Sequence, residues 1–219
     1  MVAFDTEKAR FNMVEQQIRP WDVLDERVLD LLFNVRREEF VPREYRALAF
    51  ADLEIPLSPN ARMWTPKMEA RVLQELRLSS NDRVLEIGTG SGYFTALLAS
   101  QAGEVETVEF DPRLATEARA RLARHQYRNA RVIEGDGARG YGDGTYDVIV
   151  LTGSTPVLPE RFFEQLKPEG RVFAVVGDPP VMEARLIRQT PSGAPAATNL
   201  FETAIAPLVN AAAPPRFQF

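Results

Sequence analysis

A doubly wound α/β domain with a mostly parallel sheet is the fold this sequence predicts, preceded by helices and closed by an antiparallel strand pair. Three observations carry the prediction. From residue 83 onward, short β-favouring runs alternate with helical stretches, a pattern that builds a parallel sheet covered by helices on both faces. Glycines 88, 90 and 92 follow the first of those runs, as in a strand that turns abruptly into a helix. Beyond residue 180, two β-like runs succeed each other with no helix between them, which suggests a hairpin at the sheet edge.

The elements follow in order. The first 80 residues read as helical. In LDERVLDLLFNV, residues Leu24, Val28, Leu31, Leu32 and Val35 recur at helical spacing and Asp25 is placed to cap. REEFVPREYRALAF continues helically with a break at Pro42. Thr65-Pro66 gives a cap and a first-turn proline to the helix PKMEARVLQEL. Then come strand RVLEI, helix GYFTALLASQA, strand EVETVEF and helix PRLATEARARLARH, capped by Asp111. Strands ARVIEG and YDVIVLT, helix PERFFEQL and strand GRVFAVVG complete the alternation. The closing pair is VMEARLIRQT and NLFETAIAPLV, joined across the turn-rich PSGAPAAT; NAAAPPRF at 210–217 is similarly loose. The organisation expected is a helical extension over 1–80, a core over 81–180 and a hairpin extension over 181–219, together one structural domain.

Composition narrows the chemistry. There is no cysteine, which removes disulfides, thiol nucleophiles and Cys-ligated zinc, and no metal site is expected. The single histidine, His125, excludes any mechanism with two imidazoles and reads as a solvated helix-end residue. A net charge of −5 argues against a nucleic-acid partner. No apolar run is long enough to cross a bilayer, and MVAFDTEKARF lacks the apolar stretch of a secretory signal, so a cytoplasmic protein, monomeric or a small homo-oligomer, is expected.

The glycine cluster narrows it further. A dinucleotide fingerprint needs G-x-G-x-x-G or -A, but here the third position is Tyr93. No Lys or Arg lies between Arg83 and Arg113, and Glu86 sits two residues before the first glycine. A carboxylate there opposes a pyrophosphate and favours a ligand with an α-ammonium group. S-adenosylmethionine has that group, a sulfonium and no phosphate. Glu109 ends the second strand where an acid accepts ribose hydroxyls, a feature shared with NAD sites. Asp136-Gly137 ends the third, placed to accept from an adenine amino group.

The blocks NMVEQQIRP, DERVLDLL, REEFVPREYRALAFAD, VLEIGTGSGYFTALLA, EGDGARGY and LPERFFEQLKPEGRVFAVVG resemble, in order, those of the protein-L-isoaspartate O-methyltransferase family. The resemblance covers about residues 10 to 177, and AIAPLV resembles the family's late strand. It implies a cytosolic S-adenosylmethionine-dependent enzyme with a Rossmann-like fold. Its partner would be a protein or peptide with a free carboxylate, the abnormal α-carboxylate of L-isoaspartyl residues, whose methylation starts repair. It also implies a cofactor pocket of Glu86, Gly88, Thr89, Gly90, Gly92, Glu109, Asp136 and Gly137. One segment departs. Where the family carries G-Q-T-I-S-x-P, this chain has PNARMWTPKMEA, with Asn60 at the glycine position and Trp64 at that of a serine to which the family assigns a catalytic or substrate-orienting role. A hydroxyl follows at Thr65, which reads either as a catalytic group or as the helix cap. Trp64 reads as a ring stacked on adenine, a cover for the sulfonium through cation–π contact, or a core residue.

A carboxylate acceptor is already ionised at neutral pH and needs no general base, which suits a chain with one histidine and no cysteine. Three other readings remain: a methyltransferase of the same fold with another acceptor, a non-catalytic adenosylmethionine-binding protein, and an NAD-dependent oxidoreductase.

Overall fold

Two buried apolar layers sandwich a seven-stranded sheet in the computed structural model, which describes residues 5–190 and 195–213. The chain begins with α1 (Thr6–Met13), a π-turn over Val14–Ile18 and a 3-10 turn over Arg19–Trp21, and then α2 (Glu26–Asn34). Asp25 caps α2 by accepting from the Arg27 N–H. The buried stripe of this segment is Val28, Leu29, Leu32 and Val35; Leu24, expected on that face, is 61 % exposed because it precedes the cap, and Leu29 takes its place. REEFVPREYRALAF forms two 3-10 turns, Arg37–Glu39 and Arg43–Leu48, on either side of Pro42.

The helical reading of the first 80 residues fails at one place. Ile55–Ser58 (β1) and Ala61–Met63 (β2) make an antiparallel hairpin around Pro59-Asn60. The alternation Ile55, Leu57 inward with Pro56, Ser58 partly exposed is a strand pattern too short to stand out between helices. Thr65 then starts α3 (Pro66–Leu76), its hydroxyl accepting from the Met68 N–H at 3.4 Å.

The core alternates as expected: β3 (Arg83–Ile87), α4 (Tyr93–Ala99), β4 (Glu104–Glu109), α5 (Pro112–Arg124), β5 (Ala130–Glu134), β6 (Tyr146–Thr155), α6 (Arg161–Glu164), β7 (Leu166–Asp178). Asp111 caps α5 through the Arg113 and Leu114 amides, and Pro112 occupies its first position. Strands β8 (Val181–Gln189) and β9 (Pro195–Glu202) close the edge as an antiparallel pair. β9 starts and ends earlier than NLFETAIAPLV suggests: residues 195–198, read as loop, are strand, and AIAPLV leaves the sheet. The remainder of PSGAPAAT, 191–194, and residues 214–217 lie outside the described residues.

The sheet order is β5-β4-β3-β6-β7-β8-β9, parallel from β5 to β7. Successive residues of β3 and β6 point to opposite layers: Val84, Val148 and Val150 join the layer with the N-terminal helices, while Leu85, Ile149 and Leu151 join the layer with Phe162. Both faces being covered, these strands read as continuous apolar runs. After β5 the chain crosses to the other side of β3 to lay down β6, so connections leave the carboxyl ends of β3 and β6 in opposite directions. A crevice opens at such a switch point. No helix of the described residues is long and apolar enough to cross a membrane.

Candidate active site

The crevice at the carboxyl ends of β3, β4, β5 and β6 is floored by the glycine loop. Gly88 has φ +97°, and a Cβ there would strike Thr152 Oγ1 on β6. That hydroxyl donates to the Ile87 and Gly88 carbonyls, the latter at 2.6 Å. Only glycine provides both the left-handed backbone and the close strand–strand approach. We expect Gly88→Ala to cost about 1–3 kcal/mol, as positive-φ strain adds to the displaced Thr152. Thermal denaturation checks this, and unchanged stability would show that the loop relaxes without strain.

The loop's amides are already engaged. The Gly88 N–H donates to the Val108 carbonyl, Gly90 to Glu109 Oε2 at 2.7 Å, Gly92 to the Thr89 carbonyl and Tyr93 to Ser91 Oγ. An anion-binding loop of this type presents such donors to its ligand; four of them here point at protein acceptors. Thr89 is buried, its hydroxyl 2.6 Å from that of Thr107.

Acids surround the loop. Glu86 is fully buried, and its Oε2 accepts from Thr95 Oγ1 at 2.5 Å while Oε1 has no partner. Burial pushes its pKa up to about 8, the nearby Glu109 charge adds to the rise, and the Thr95 and Thr107 hydroxyls oppose it. Glu109, at the end of β4, also accepts from the Asp111 N–H at 3.0 Å, and each of its oxygens retains a lone pair. Asp136, after β5, accepts from the Ala138 N–H and from Asn210 Nδ2. With Glu54 and Glu69, five carboxyl side chains line the crevice, against one cation, Arg62. Arg37 offsets Glu69, and the remaining excess of carboxyl groups over Arg62 favours a cation over an anion.

The remaining walls come from segments the sequence reading did not assign to the site. Leu57 of β1 lies over the loop, 3.1 Å from where a Gly90 Cβ would stand, and Arg113 of α5 donates to the Leu57 carbonyl. After β9, residues 205–209 run along β6, the Ser154 N–H donating to the Ala206 carbonyl and the Ser154 carbonyl accepting from the Leu208 N–H, with Leu208 packed beside Gly88 and Gly153. Phe110, following Glu109, lines the crevice while half exposed. An apolar ring placed directly after a strand-end acid is the signal that could have found it.

Of the residues read from sequence, Glu86, Gly88, Thr89, Gly90, Glu109, Asp136, Gly137 and Trp64 line this one crevice. Gly92 does not: it starts α4 with φ +83° and faces Ala118 and Leu122 of α5, so Ser91 takes its place in the lining. Thr65 also lies outside the lining, its hydroxyl spent on the α3 cap. The Trp64 ring is 5 % exposed and packs on Phe94 and Phe173, with its Nε1 buried and unpartnered among the described residues. Its carbonyl accepts from Arg37 Nη2, and Arg37 Nε donates to Glu69 Oε2 at 3.0 Å.

Comparison with known proteins places the chain in a family. The model of the family described as Protein-L-isoaspartate(D-aspartate) O-methyltransferase matches residues 8–213. The chain belongs to that family. The protein-L-isoaspartate O-methyltransferase of Methanoculleus marisnigri is 40 % identical over 178 residues, covering 81 % of each chain. That of Koribacter versatilis is 35 % identical over 210 residues, covering 95 % of this chain and 93 % of its own. Among solved structures, one protein-L-isoaspartate O-methyltransferase superposes with a TM-score of 0.78 at 24 % identity, over 94 % of this chain and 66 % of its own. A Plasmodium falciparum protein assigned the same activity, in complex with S-adenosyl-L-homocysteine, gives 0.76 at 17 % identity over 94 % and 99 %. At those identities the structures speak for the fold. The match to the protein-L-isoaspartate O-methyltransferase family begins at residue 8 and so takes in nearly all of the N-terminal extension.

Proposed function

We propose that this chain transfers a methyl group from S-adenosylmethionine to the free carboxylate of L-isoaspartyl residues in proteins, with the crevice described above as its active site. The observation that carries the reading is the charge and donor pattern of the glycine loop. Five acids line the crevice and four of the loop amides, those of Gly88, Gly90, Gly92 and Tyr93, are spent on protein acceptors, which suits a cationic, phosphate-free nucleoside and disfavours a dinucleotide. In this reading Glu86, whose Oε1 lacks a partner, faces the ammonium group, Gly88 and Gly90 allow close approach, and Glu109 takes the ribose hydroxyls on its spare lone pairs. Thr89, Gly137, Asp136 and the half-exposed ring of Phe110 border the base. Gly92 and Thr65 act from behind, positioning α4 and α3. The helical extension and the C-terminal strand pair then belong to one domain with the core, because Leu57, Trp64 and Leu208 from both extensions wall the same site.

When bound, the cofactor supplies a methyl group on a sulfonium and leaves as a neutral thioether. The chain's part is alignment and exclusion of water. The acceptor carboxylate, with an ordinary pKa of about 4, arrives ionised, so no residue has to take a proton. The absence of a histidine from the crevice lining is consistent with that. Leu57, Phe94 and Leu208 supply apolar cover.

A specific observation keeps a second acceptor class in view: the indole of Trp64 occupies the crevice wall where the family's serine is expected. Labelled S-adenosylmethionine offered with an isoaspartyl peptide and with its aspartyl twin decides between them. We expect a base-labile methyl ester on the isoaspartyl peptide alone. Label on neither, with S-adenosylhomocysteine still bound, would overturn the acceptor and leave the cofactor. Glu109→Ala is expected to weaken S-adenosylhomocysteine binding by about 10- to 100-fold in calorimetry, the worth of charge-assisted hydrogen bonds of about 1.5–3 kcal/mol. Unchanged affinity would remove Glu109 from the site.

A further inference from the structure

An acid-lined crevice suits a cationic cofactor and works against an anionic acceptor. Among the lining residues the only Lys, Arg or His is Arg62. It stands on β2 opposite Pro56, exposed to solvent, and none of the hydrogen bonds or ion pairs among the described residues uses its guanidinium. The other guanidinium groups close to the crevice are occupied: Arg37 by Glu69 and two carbonyls, Arg113 by Glu117 and the Leu57 carbonyl. We propose that Arg62 is the carboxylate receptor of this active site, gripping the acceptor at the crevice mouth.

The proposal rests on the reading above that the acceptor is a carboxylate. The planar fork of a guanidinium matches the two oxygens of a carboxylate, and an unpartnered fork gives up no protein partner when it takes them. Glu54 is half-buried one residue ahead of β1, and the two opposite charges interact electrostatically without forming a close ion pair. That attraction holds the long Arg62 side chain near the mouth while leaving its donors free. Arg62 also lies two residues before Trp64, in the segment where the resemblance expects a serine. The segment therefore loses a hydroxyl and carries a cation, which moves recognition of the acceptor from a neutral donor to a charged one. The grip ends with the reaction. Methylation turns the anion into a neutral ester, so Arg62 favours substrate over product and promotes release.

The test uses the full chain with Arg62→Ala and Arg62→Lys. Initial rates are followed against isoaspartyl peptide at saturating S-adenosylmethionine, at low and high salt, with S-adenosylhomocysteine binding measured alongside. Arg62→Ala should raise KM about tenfold or more with a smaller change in kcat, the usual weight of a charged contact. Arg62→Lys should restore part of it, and salt should raise KM for the parent far more than for Arg62→Ala. S-adenosylhomocysteine affinity should stay within about twofold of the parent, since the residue stands on the acceptor side. A KM unchanged in Arg62→Ala, or an equal loss of S-adenosylhomocysteine binding, overturns the proposal. If the parent binds S-adenosylhomocysteine yet methylates neither peptide, the functional reading fails and succinate titrated into the S-adenosylhomocysteine-loaded protein decides the matter of Arg62. Binding lost in Arg62→Ala sustains a carboxylate receptor; equal binding, or none to either protein, removes it.

Discussion

Arg37→Ala is expected to lower stability by about 3–5 kcal/mol, the cost of leaving the buried Glu69 carboxyl and two buried carbonyls without their shared donor. Arg37 is 1 % exposed and each of its three guanidinium nitrogens donates: Nε to Glu69 on α3, Nη1 to the Ala49 carbonyl, Nη2 to the Trp64 carbonyl. Its flat face lies 5.5 Å from the Tyr93 ring centre at the start of α4. One side chain thus ties the N-terminal extension to the crevice wall and to the core. For a chain of this size the loss corresponds to roughly 2–4 °C of Tm per kcal/mol. The deficit should depend on pH in a definite direction. Burial raises the Glu69 pKa to about 7, with Arg37 pulling it back by charge and hydrogen bond. Without Arg37 the folded-state value rises further, while the unfolded value stays near that of a free glutamate. Below pH 7 Glu69 holds its proton in both folded proteins and the gap is constant; as pH climbs through 7 the parent can ionise and the variant cannot, so the gap widens. Melting curves at acid and mildly alkaline pH test both claims, and a gap that narrows with rising pH would contradict the second.

The same residue marks a limit of what could be read from sequence. The alternation of strands and helices from Arg83 to Asp178 was legible because both faces of the sheet are buried and the caps are local: Asp111 and Thr65 announce α5 and α3 within one turn. The acids at strand ends were legible for a related reason, since a strand's carboxyl end fixes where the next side chains point. What escaped is non-local. The β1–β2 hairpin buries Ile55, Leu57 and Met63 in the core, and strands of four and three residues leave little periodicity to detect. Gly92 looked like the third member of a ligand-binding set, but its neighbour is Ala118, 26 positions away in the chain. Arg37, Asn210 and Leu208 contribute through partners 12 to 120 residues distant, which no spacing rule reaches. Spacing found the loop and its acids; the walls that make them a crevice come from chain topology.

Glu86→Gln should stabilise the chain at mildly alkaline pH and weaken its hold on the cofactor, two effects with one cause. Glu86 has no cation beside it; its neighbours are the Thr95 and Thr107 hydroxyls and the like charge of Glu109. Its folded-state pKa is raised, to about 8, above the unfolded value, so the fold prefers the protonated form. Protonated in both states at acid pH, the residue costs nothing there. Between pH 4.5 and about 8 the unfolded chain ionises freely and the folded one does not, so stability falls as pH rises through that window. Glutamine keeps the shape and cannot ionise, so its gain in Tm should be small near pH 5 and reach several degrees near pH 8, at about 2–4 °C per kcal/mol relieved. The cofactor turns the same preference around. An ammonium group beside Glu86 stabilises the carboxylate, so binding at neutral pH should expel a proton from the parent and not from Glu86→Gln. Calorimetry with S-adenosylhomocysteine in two buffers of different ionisation enthalpy reads that proton directly, and the parent's affinity should tighten by up to about tenfold per pH unit below 8, flattening as Glu86 ionises in the empty site. Affinity that is equally pH-independent in both proteins would mean that the buried carboxyl serves the fold alone.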